Sequence, residues 1–210
     1  GGTLRTSTDG LTWTSQSVPT TTTDLNKVLF NKWAVGERGV PEYIVVGDSG
    51  VILTSNNTIN WYVKTTPTTE DLRGVAYDGT TYVVTGDNGT VITSQNGNTW
   101  VSQTTGTTEG LGDIIYNDDY DAFIATGNNG VILKSTDSGV TWTALESGTG
   151  ESIRGISWHE GVMVAMTIKM QVLISDDGGD TWETNTVTNE VTTDRNQDAA
   201  DLLSKNKKLL

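Results

Sequence analysis

The chain has 210 residues, and its 13 Lys or Arg and 26 Asp or Glu give a formal net charge of −13. This charge argues against nucleic acid or an anionic membrane surface as a partner, since clustered basic residues bind both. The absence of cysteine excludes disulfides, thiolate zinc sites and thiol catalysis. No apolar run reaches the roughly 18 residues of a membrane span, so we expect no membrane insertion, and no residue pattern predicts a cofactor or a metal site.

Strand-like runs separated by Gly, Asn and Asp turns fill the chain up to residue 187. The first two runs, residues 3–7 and 12–18, form half a unit. Complete units of four runs follow at 25–30, 43–48, 51–54 and 61–65; at 72–78, 81–87, 90–94 and 99–105; at 111–117, 122–128, 131–135 and 141–147; and at 153–159, 162–167, 172–175 and 181–187. Four antiparallel strands per unit describe one blade of a β-propeller. We therefore predict an all-β fold, a β-propeller of about four and a half blades over residues 1–187.

The two ends of the chain are expected to differ from the blades. A propeller closes by pairing its ends so that no long sheet edge is left open, and nothing after residue 187 resembles the two strands that the first half-unit lacks. We expect those strands upstream of Gly1, which makes the propeller incomplete at its N-terminus, or from a partner chain. Residues 188–210 predict a linker and a short amphipathic C-terminal helix with Leu202, Leu203 and Leu209 on one side, packing on the propeller or on another subunit.

A turn motif recurs once in each unit: a Ser, then Asp or Asn two residues on, then a Trp six or seven residues after the Ser. Its members are Ser7, Asp9 and Trp13; Ser55, Asn57 and Trp61; Ser94, Asn96 and Trp100; Ser135, Asp137, Gly139 and Trp142; and Ser175, Asp177, Gly179 and Trp182. The Asp or Asn side chain is suited to accepting hydrogen bonds from the turn, and Trp to covering the hairpin. We expect a structural role and no catalytic residue among them.

These segments resemble the Asp-box, or BNR repeat, Ser-x-Asp-x-Gly-x-Thr-Trp, which the last two copies match at every specified position. The resemblance implies that the motif lies between the third and fourth strands of each blade, on the face opposite the usual ligand site. A second pattern, Gly-Asp/Asn-x-Gly, joins the middle strands in VVGDSGVILTS, VTGDNGTVITS and ATGNNGVILKS. This arrangement is similar to propellers related to the photosystem II assembly and stability factor, a group that also occurs in bacterial surface proteins and phage structural proteins.

The fourth complete unit departs from the pattern, because Met166, Ile168 and Met170 stand where the other units have the Gly-Asp-x-Gly turn. Apolar residues at a turn often mark a contact surface, and Met adapts its shape to a partner. The sequence therefore predicts a partner contact there. The alternative is that the strands extend through this segment and bury both Met.

Two arginines, Arg73 and Arg154, occupy equivalent positions on the innermost strands of their units, where the other two units have Asn26 and Gly112. Guanidinium groups close to a propeller axis are suited to holding a carboxylate or phosphate, as in the arginine cluster of sialidases. The alternative is that they pair with Asp113 or with neighbouring acids. Thr-rich connections between the units offer hydroxyls for a sugar, or form a solvated surface.

From the sequence we expect a non-catalytic propeller that serves as a structural or attachment module of a larger extracellular assembly. The resemblance implies a phage virion as its setting, with other protein subunits and a cell-surface glycan as partners. The alternatives are a glycoside hydrolase or sialidase-like domain and a protein-binding propeller like the photosystem II assembly factor.

Overall fold

A computed structural model of the chain describes residues 2–19, 23–32, 34 and 40–186. In chain order its strands are β1 (Leu4–Thr6), β2 (Thr14–Gln16), β3 (Leu25–Phe30), β4 (Tyr43–Gly47), β5 (Ile52–Ser55), β6 (Tyr62–Lys64), β7 (Leu72–Tyr77), β8 (Tyr82–Gly86), β9 (Val91–Ser94), β10 (Val101–Gln103), β11 (Leu111–Asn117), β12 (Ala122–Gly127), β13 (Ile132–Ser135), β14 (Thr143–Leu145), β15 (Ile153–His159), β16 (Val162–Thr167), β17 (Gln171–Ser175) and β18 (Glu183–Thr186). Single 3-10 turns occupy Asp48–Gly50 and Asn128–Gly130. No helix in these ranges has the length and apolar character needed to cross a bilayer.

The described strands form four antiparallel sheets of four strands and one of two strands. We call the four-stranded sheets blade 1 (β3–β6), blade 2 (β7–β10), blade 3 (β11–β14) and blade 4 (β15–β18), and the pair β1–β2 the half-blade. The predicted count of four and a half units is confirmed. The fourth strands are shorter than predicted, since Thr99 and Trp100 belong to the preceding turn and β10 starts at Val101. The predicted linker and helix, with Leu202, Leu203 and Leu209, lie outside the described residues.

The blades are arranged around a common axis. Their first strands β3, β7, β11 and β15 lie next to one another in that order, and β7, β11 and β15 each also contact the second strand of the blade before. Between consecutive blades lies an apolar core: Ile44 and Ile52 of blade 1 pack with Val75, Tyr82 and Trp100 of blade 2. The same packing joins blade 2 to blade 3 and blade 3 to blade 4. The second strands of blades 1 to 3 are therefore buried on both faces, which explains their nearly continuous runs of apolar residues.

Each first strand contains a β-bulge next to its start. The pairing with the second strand shifts between Leu72 and Gly74 in blade 2, and at the corresponding place in the other three blades. The extra residue at this shift is left out of the ladder, and a bulge of this kind redirects the side chain it carries. These residues are Asn26, Arg73, Gly112 and Arg154.

In blades 1 and 2 a glycine five residues before the motif Ser connects the turn to the next blade. The amide of Gly50 donates to the Glu70 carbonyl at 2.8 Å, and the amide of Gly89 to the Glu109 carbonyl at 2.9 Å. Both glycines have positive φ, +71° and +65°, and a Cβ atom would run into the carbonyl oxygen of Thr68 or Thr107. Only glycine therefore fits at this contact.

The half-blade makes the same contact with blade 1. The amide of Gly2, also five residues before its Ser, donates to the Thr23 carbonyl at 2.6 Å. Strands β1 and β2 thus occupy the places of the third and fourth strands of a blade that precedes blade 1. Leu4 and Val18 pack on the core residues Val45, Leu53 and Trp61.

Candidate functional site

Polar and charged side chains gather where the bulges of the first strands meet the turns between the middle strands. The guanidinium of Arg73 lies 3.0 Å from Asp71, 3.0 Å from Asp87 and 3.3 Å from Asp48. Its hydrogen bond with Asp87 raises the pKa of the guanidinium, so the group stays charged. Three carboxylates therefore surround this one cation, and the site as a whole is negative.

A second ion pair crosses from blade 1 to blade 3. Lys27 Nζ lies 2.8 Å from an oxygen of Asp113, whose other oxygen accepts a hydrogen bond from the Ile156 amide at 3.3 Å. Asn26 donates to Asp48 at 2.8 Å and to the Leu72 carbonyl at 2.9 Å. These contacts connect the innermost strands of all four blades.

The two arginines that the sequence singled out have different surroundings. Arg73 pairs with neighbouring acids, whereas Asp113 pairs with Lys27 and not with an arginine. Arg154 is exposed and forms no ion pair with any described residue. The sequence did not predict Lys27 or Asp71 as site residues. A signal for Asp71 existed, because it directly precedes β7 just as Asp24 directly precedes β3.

Next to Arg73 an open cavity of about 490 Å³ lies between blades 2 and 3, lined almost entirely by polar side chains. Its walls include Glu70, Asp71, Asp87, Glu109 and Asn128. In the described ranges no group of three or more acidic, His or Cys side chains is arranged to hold a metal ion. The excess of carboxylates repels an anionic ligand, so the arrangement does not favour the phosphate or carboxylate binding considered for the two arginines.

The recurring Ser–Trp motifs lie between the third and fourth strands, and hydrogen bonds within each turn hold its Ser and its Asp or Asn. Ser135 Oγ donates to Asp137 at 2.8 Å and accepts from the Gly139 amide at 3.0 Å, and Asp137 accepts from the Thr141 amide at 2.8 Å. Trp142 Nε1 donates to the Gly139 carbonyl at 3.0 Å. The blade 4 copy repeats these contacts. In the copies that have Asn, Asn57 and Asn96, the amide oxygen accepts two backbone N–H groups in the same way.

The Asp residues of these motifs titrate at low pH. Backbone N–H groups of Thr12 and Leu11 and the Ser7 hydroxyl lower the pKa of the exposed Asp9 to about 2. Burial raises the pKa of Asp177, but hydrogen bonds from the hydroxyl and amide of Thr181 and from the Ser175 hydroxyl outweigh this and bring it to about 2. Carboxylates held ionised in this way are poor general acids or bases near neutral pH.

The tryptophans of the motifs point at the preceding blade. Trp61 and Trp100 are buried, and Trp142 and Trp182 are partly buried in the cores between blades. Trp13, in the half-blade, has no described blade on that side and is exposed.

Blade 4 presents a sheet face that no described residue covers. Val164 of blade 4 and Val83 of blade 2 are equivalent positions. Val164 pairs with Ile174 and Val83 with Thr93, and Ile174 and Thr93 each directly precede the motif Ser of their blade. Val83 is fully buried against blade 3, but Val164 is 41% exposed. Met166, Ile168 and Met170 are all more than half exposed, so the alternative that the strands bury both Met is wrong. Met170 takes the place of the glycine of the other blades, with φ +62°.

Comparison with known proteins rests on structure, since no protein-family model and no curated protein matches the chain. It is similar to YCF48 from Cyanidioschyzon merolae (TM-score 0.60, 21% identity, 87% of this chain and 63% of that one) and to YCF48 bound to D1 peptide (TM-score 0.62, 17% identity, 82% and 56%). It is also similar to the GH74 enzyme of Niastella koreensis (TM-score 0.54, 23% identity, 79% and 24%). The fold is that of a β-propeller.

The predicted propeller fold is thereby confirmed. This propeller chain spans less than two thirds of the length of the YCF48 structures and about a quarter of the GH74 enzyme. At identities below 25% the likeness establishes the fold alone. Both a protein bound to a peptide and an enzyme share it, so the function has to be argued from the side chains of this chain.

Proposed function

We propose that this propeller is a non-catalytic module that binds protein chains, copies of itself included, through the open face of blade 4. The observation that carries the proposal is the exposure of Val164, Met166 and Met170 in positions where the other complete blades are covered, together with the exposed Ile168 in the turn between them. Exposed apolar side chains grouped along one strand and its turn are typical of a protein interface, because leaving them in water is unfavourable.

The residues themselves favour a contact surface over an unfinished core. Gly50, Gly89 and Gly130 stand against the carbonyl groups of the connection that follows their blade, where a side chain does not fit. Blade 4 has Met170 at this place, exposed and with positive φ. The substitution turns a packing contact between blades into an exposed thioether side chain, which adapts to the shape of a partner.

The axial site supports a non-catalytic role. Its basic groups Arg73 and Lys27 are held by carboxylates, and the motif carboxylates are held by their own turns. The raised pKa of Arg73 and the lowered pKa values of Asp9 and Asp177 keep these three groups charged near neutral pH, so none of the three is poised to exchange a proton with a substrate.

The setting that the family resemblance implies is an extracellular assembly such as a phage virion, in which the module attaches one subunit to another. The likeness to YCF48 bound to D1 peptide gives support to protein binding, and extends the proposal to an assembly-factor role in which the partner is a peptide segment.

The test is the oligomeric state of the purified chain, measured by mass photometry. We expect self-association, which Met166→Asp weakens by placing a charge in the open face. The matched control is Ile59→Asp, because Ile59 is also more than half exposed but lies in a turn of blade 1. A chain that stays monomeric, or that responds equally to both variants, contradicts the proposal.

A glycoside-active propeller is the second candidate, supported by the likeness to GH74 enzymes and by the carboxylates Asp48, Asp71 and Asp87 around Arg73. A screen with fluorogenic glycosides separates it from the first. Hydrolysis that is lost in Asp71→Asn, with the fold intact by circular dichroism, would replace the non-catalytic proposal.

A further inference from the structure

An open pocket of about 510 Å³ lies between blades 1 and 2, next to the turn motifs of both. The turn and the fourth strand of blade 1 form one wall, and the turn of blade 2 forms the other. A hydrogen bond from Lys64 Nζ to Asn98 Oδ1, 3.0 Å long, joins the two walls. The pocket shares no described lining residue with the cavity next to Arg73 or with the open face of blade 4, so it is a separate site.

The charge of this pocket is opposite to that of the chain. The formal net charge of the protein is −13, but the described residues that line the pocket include Lys64 and no Asp or Glu. Lys64 forms no ion pair with a described residue, since its bond to Asn98 is to a neutral amide. The equivalent pocket between blades 2 and 3 has Gln103 in place of this lysine and includes Asp137. The pocket between blades 1 and 2 is therefore the one that attracts an anionic group.

An exposed aromatic ring lies next to this cation. Tyr62 of β6 lines the pocket and is 61% exposed, and Lys64 Nζ lies 6.0 Å from the centroid of its ring. The equivalent residue of blade 2 is Val101, because Tyr62 and Val101 both pair with the residue that precedes the motif Ser. The pocket between blades 1 and 2 therefore combines a flat apolar ring with a positive charge, which suits a flat ligand that has an apolar face and an acidic group.

Side-chain amides supply the rest of the polar lining. In the motif of blade 1, the Asn57 oxygen accepts the amides of Ile59 and Asn60 at 3.0 and 2.9 Å, which turns its NH₂ group away from them. Where the motif has Asp137, the second oxygen accepts the Thr141 hydroxyl at 2.6 Å, but the Asn57 NH₂ group has no partner among the described residues. The asparagines that line the pocket are Asn56, Asn57, Asn60, Asn96 and Asn98.

We propose that this pocket binds a sugar that carries a carboxylate, namely a hexuronate unit of an acidic glycan. The C–H face of the pyranose ring stacks on Tyr62, and the carboxylate pairs with Lys64. The hydroxyls of the sugar exchange hydrogen bonds with the asparagine amides, because both kinds of group donate and accept. Neither the axial site nor the open face of blade 4 takes part.

The experiment measures the affinity of the full chain for two uronates, trigalacturonate and a trimer of β-linked glucuronate, by ligand-observed NMR titration. The methyl ester of each trimer keeps the sugar rings and removes the charge. A capped triaspartate peptide keeps the charge and has no sugar ring. We expect saturable binding of at least one uronate, binding of its ester that is several-fold weaker, and no binding of the peptide.

Variants that introduce the residues of the equivalent pocket locate the binding. Tyr62→Val is expected to weaken it at least about tenfold, the effect of losing one stacked ring face. Lys64→Gln should weaken uronate binding about threefold and leave the ester unchanged, since it removes one exposed ion pair. Asn57→Asp keeps the oxygen that holds the turn but replaces the NH₂ group by a negative charge, so it should weaken the uronate more than the ester. Val101→Ala, in the equivalent pocket, is the matched control and should change nothing.

Three outcomes overturn the inference. The first is that neither uronate binds, and the second is that triaspartate binds as well as the uronates, which would mean that charge alone is recognised. The third is that Tyr62→Val has no effect, or that Val101→Ala has the same effect. Met166→Asp in the open face of blade 4 is expected to leave uronate binding unchanged, so failure of this inference and failure of the proposed function are told apart.

Discussion

Blades 2 and 4 have the same strand order and the same turn motif, but of these two only blade 2 is covered on both faces by described residues. In β8 every residue is buried, whereas in β16 buried residues alternate with exposed or partly exposed ones. The turn of blade 2 ends in Gly89 and that of blade 4 in Met170, both with positive φ. The difference shows that in this repeat the sequence of a blade depends on what lies beside it as well as on its own fold.

The largest effect that tests this comparison is expected at the glycine contact. Gly89→Ala forces a Cβ atom into the Thr107 carbonyl at positive φ, and we expect a loss of about 3 kcal/mol in the free energy of unfolding. Met170→Ala, at the equivalent position of blade 4, should change it by less than about 0.5 kcal/mol. Urea denaturation of both variants measures the two values. Equal losses would mean that the two turns have equivalent surroundings.

The next effect concerns the faces of the second strands. Val83→Ala removes fully buried methyl groups between blades 2 and 3, and we expect a loss of about 2 kcal/mol. The same change at Val164 should cost less than about 0.5 kcal/mol, because that side chain is already in contact with water. Denaturation curves of the two matched variants decide the question, and a large loss at Val164 would show that blade 4 is covered in solution.

A smaller effect separates the two turn motifs, which have Asn96 in blade 2 and Asp177 in blade 4. Asp177→Ala removes the acceptor of the turn, with an expected loss of about 1 kcal/mol near neutral pH. Asp177→Asn should lose less, since Asn makes the same backbone contacts in blade 2.

The acid dependence of stability sharpens the same point. The pKa of Asp177 falls from 3.8 to about 2 on folding, so its contribution is present above pH 3.8 and is lost as the pH falls towards 2. The parent should therefore lose stability over this range, and Asp177→Asn should lose less of it. Thermal melts at a series of pH values test this, with Asn96→Asp expected to add to the loss. A parent and an Asp177→Asn variant with parallel pH profiles would refute the assignment.

The smallest effect is expected at the bulges. Arg73→Ala breaks contacts with three partly exposed carboxylates and should cost about 0.5 kcal/mol, less at high salt. Arg154→Ala, at the equivalent bulge of blade 4, should have no measurable effect. Melting temperatures at low and high salt give the comparison, and a salt-independent loss at Arg73 would indicate a packing role.

The repeats were sufficient to predict the fold, because each unit pairs Gly-rich turns with short β-branched runs and these local signals agree with the final structure. The fourth strands were predicted too long, since Thr and Trp have high strand propensity even where they belong to a turn. The β-bulges could not be predicted from the sequence, since the four blades have Asn, Arg, Gly and Arg at the bulged position and share no residue type there.

The candidate site was less predictable than the fold. The pair Lys27–Asp113 joins residues far apart in the chain, and no local pattern indicates such a contact. The exposure of Val28, whose equivalent Val75 in blade 2 is buried, was invisible for another reason: blades 1 and 2 have the same apolar spacing in their first strands, and only the neighbour differs. The departure of blade 4 was readable, because Met170 replaces a glycine that each other complete blade requires.

The amide-to-carbonyl contact between one turn and the next connection gives the repeat a direction. Blades 1 and 2 each carry a glycine amide for the blade that follows, and the connection into each of blades 1 to 3 provides a carbonyl for the turn before it. A segment of about forty residues that contains both halves can therefore be duplicated within the ring without any new surface having to evolve. Blade 4 has Met170 in place of that glycine, so the described part of blade 4 lacks this half of the contact.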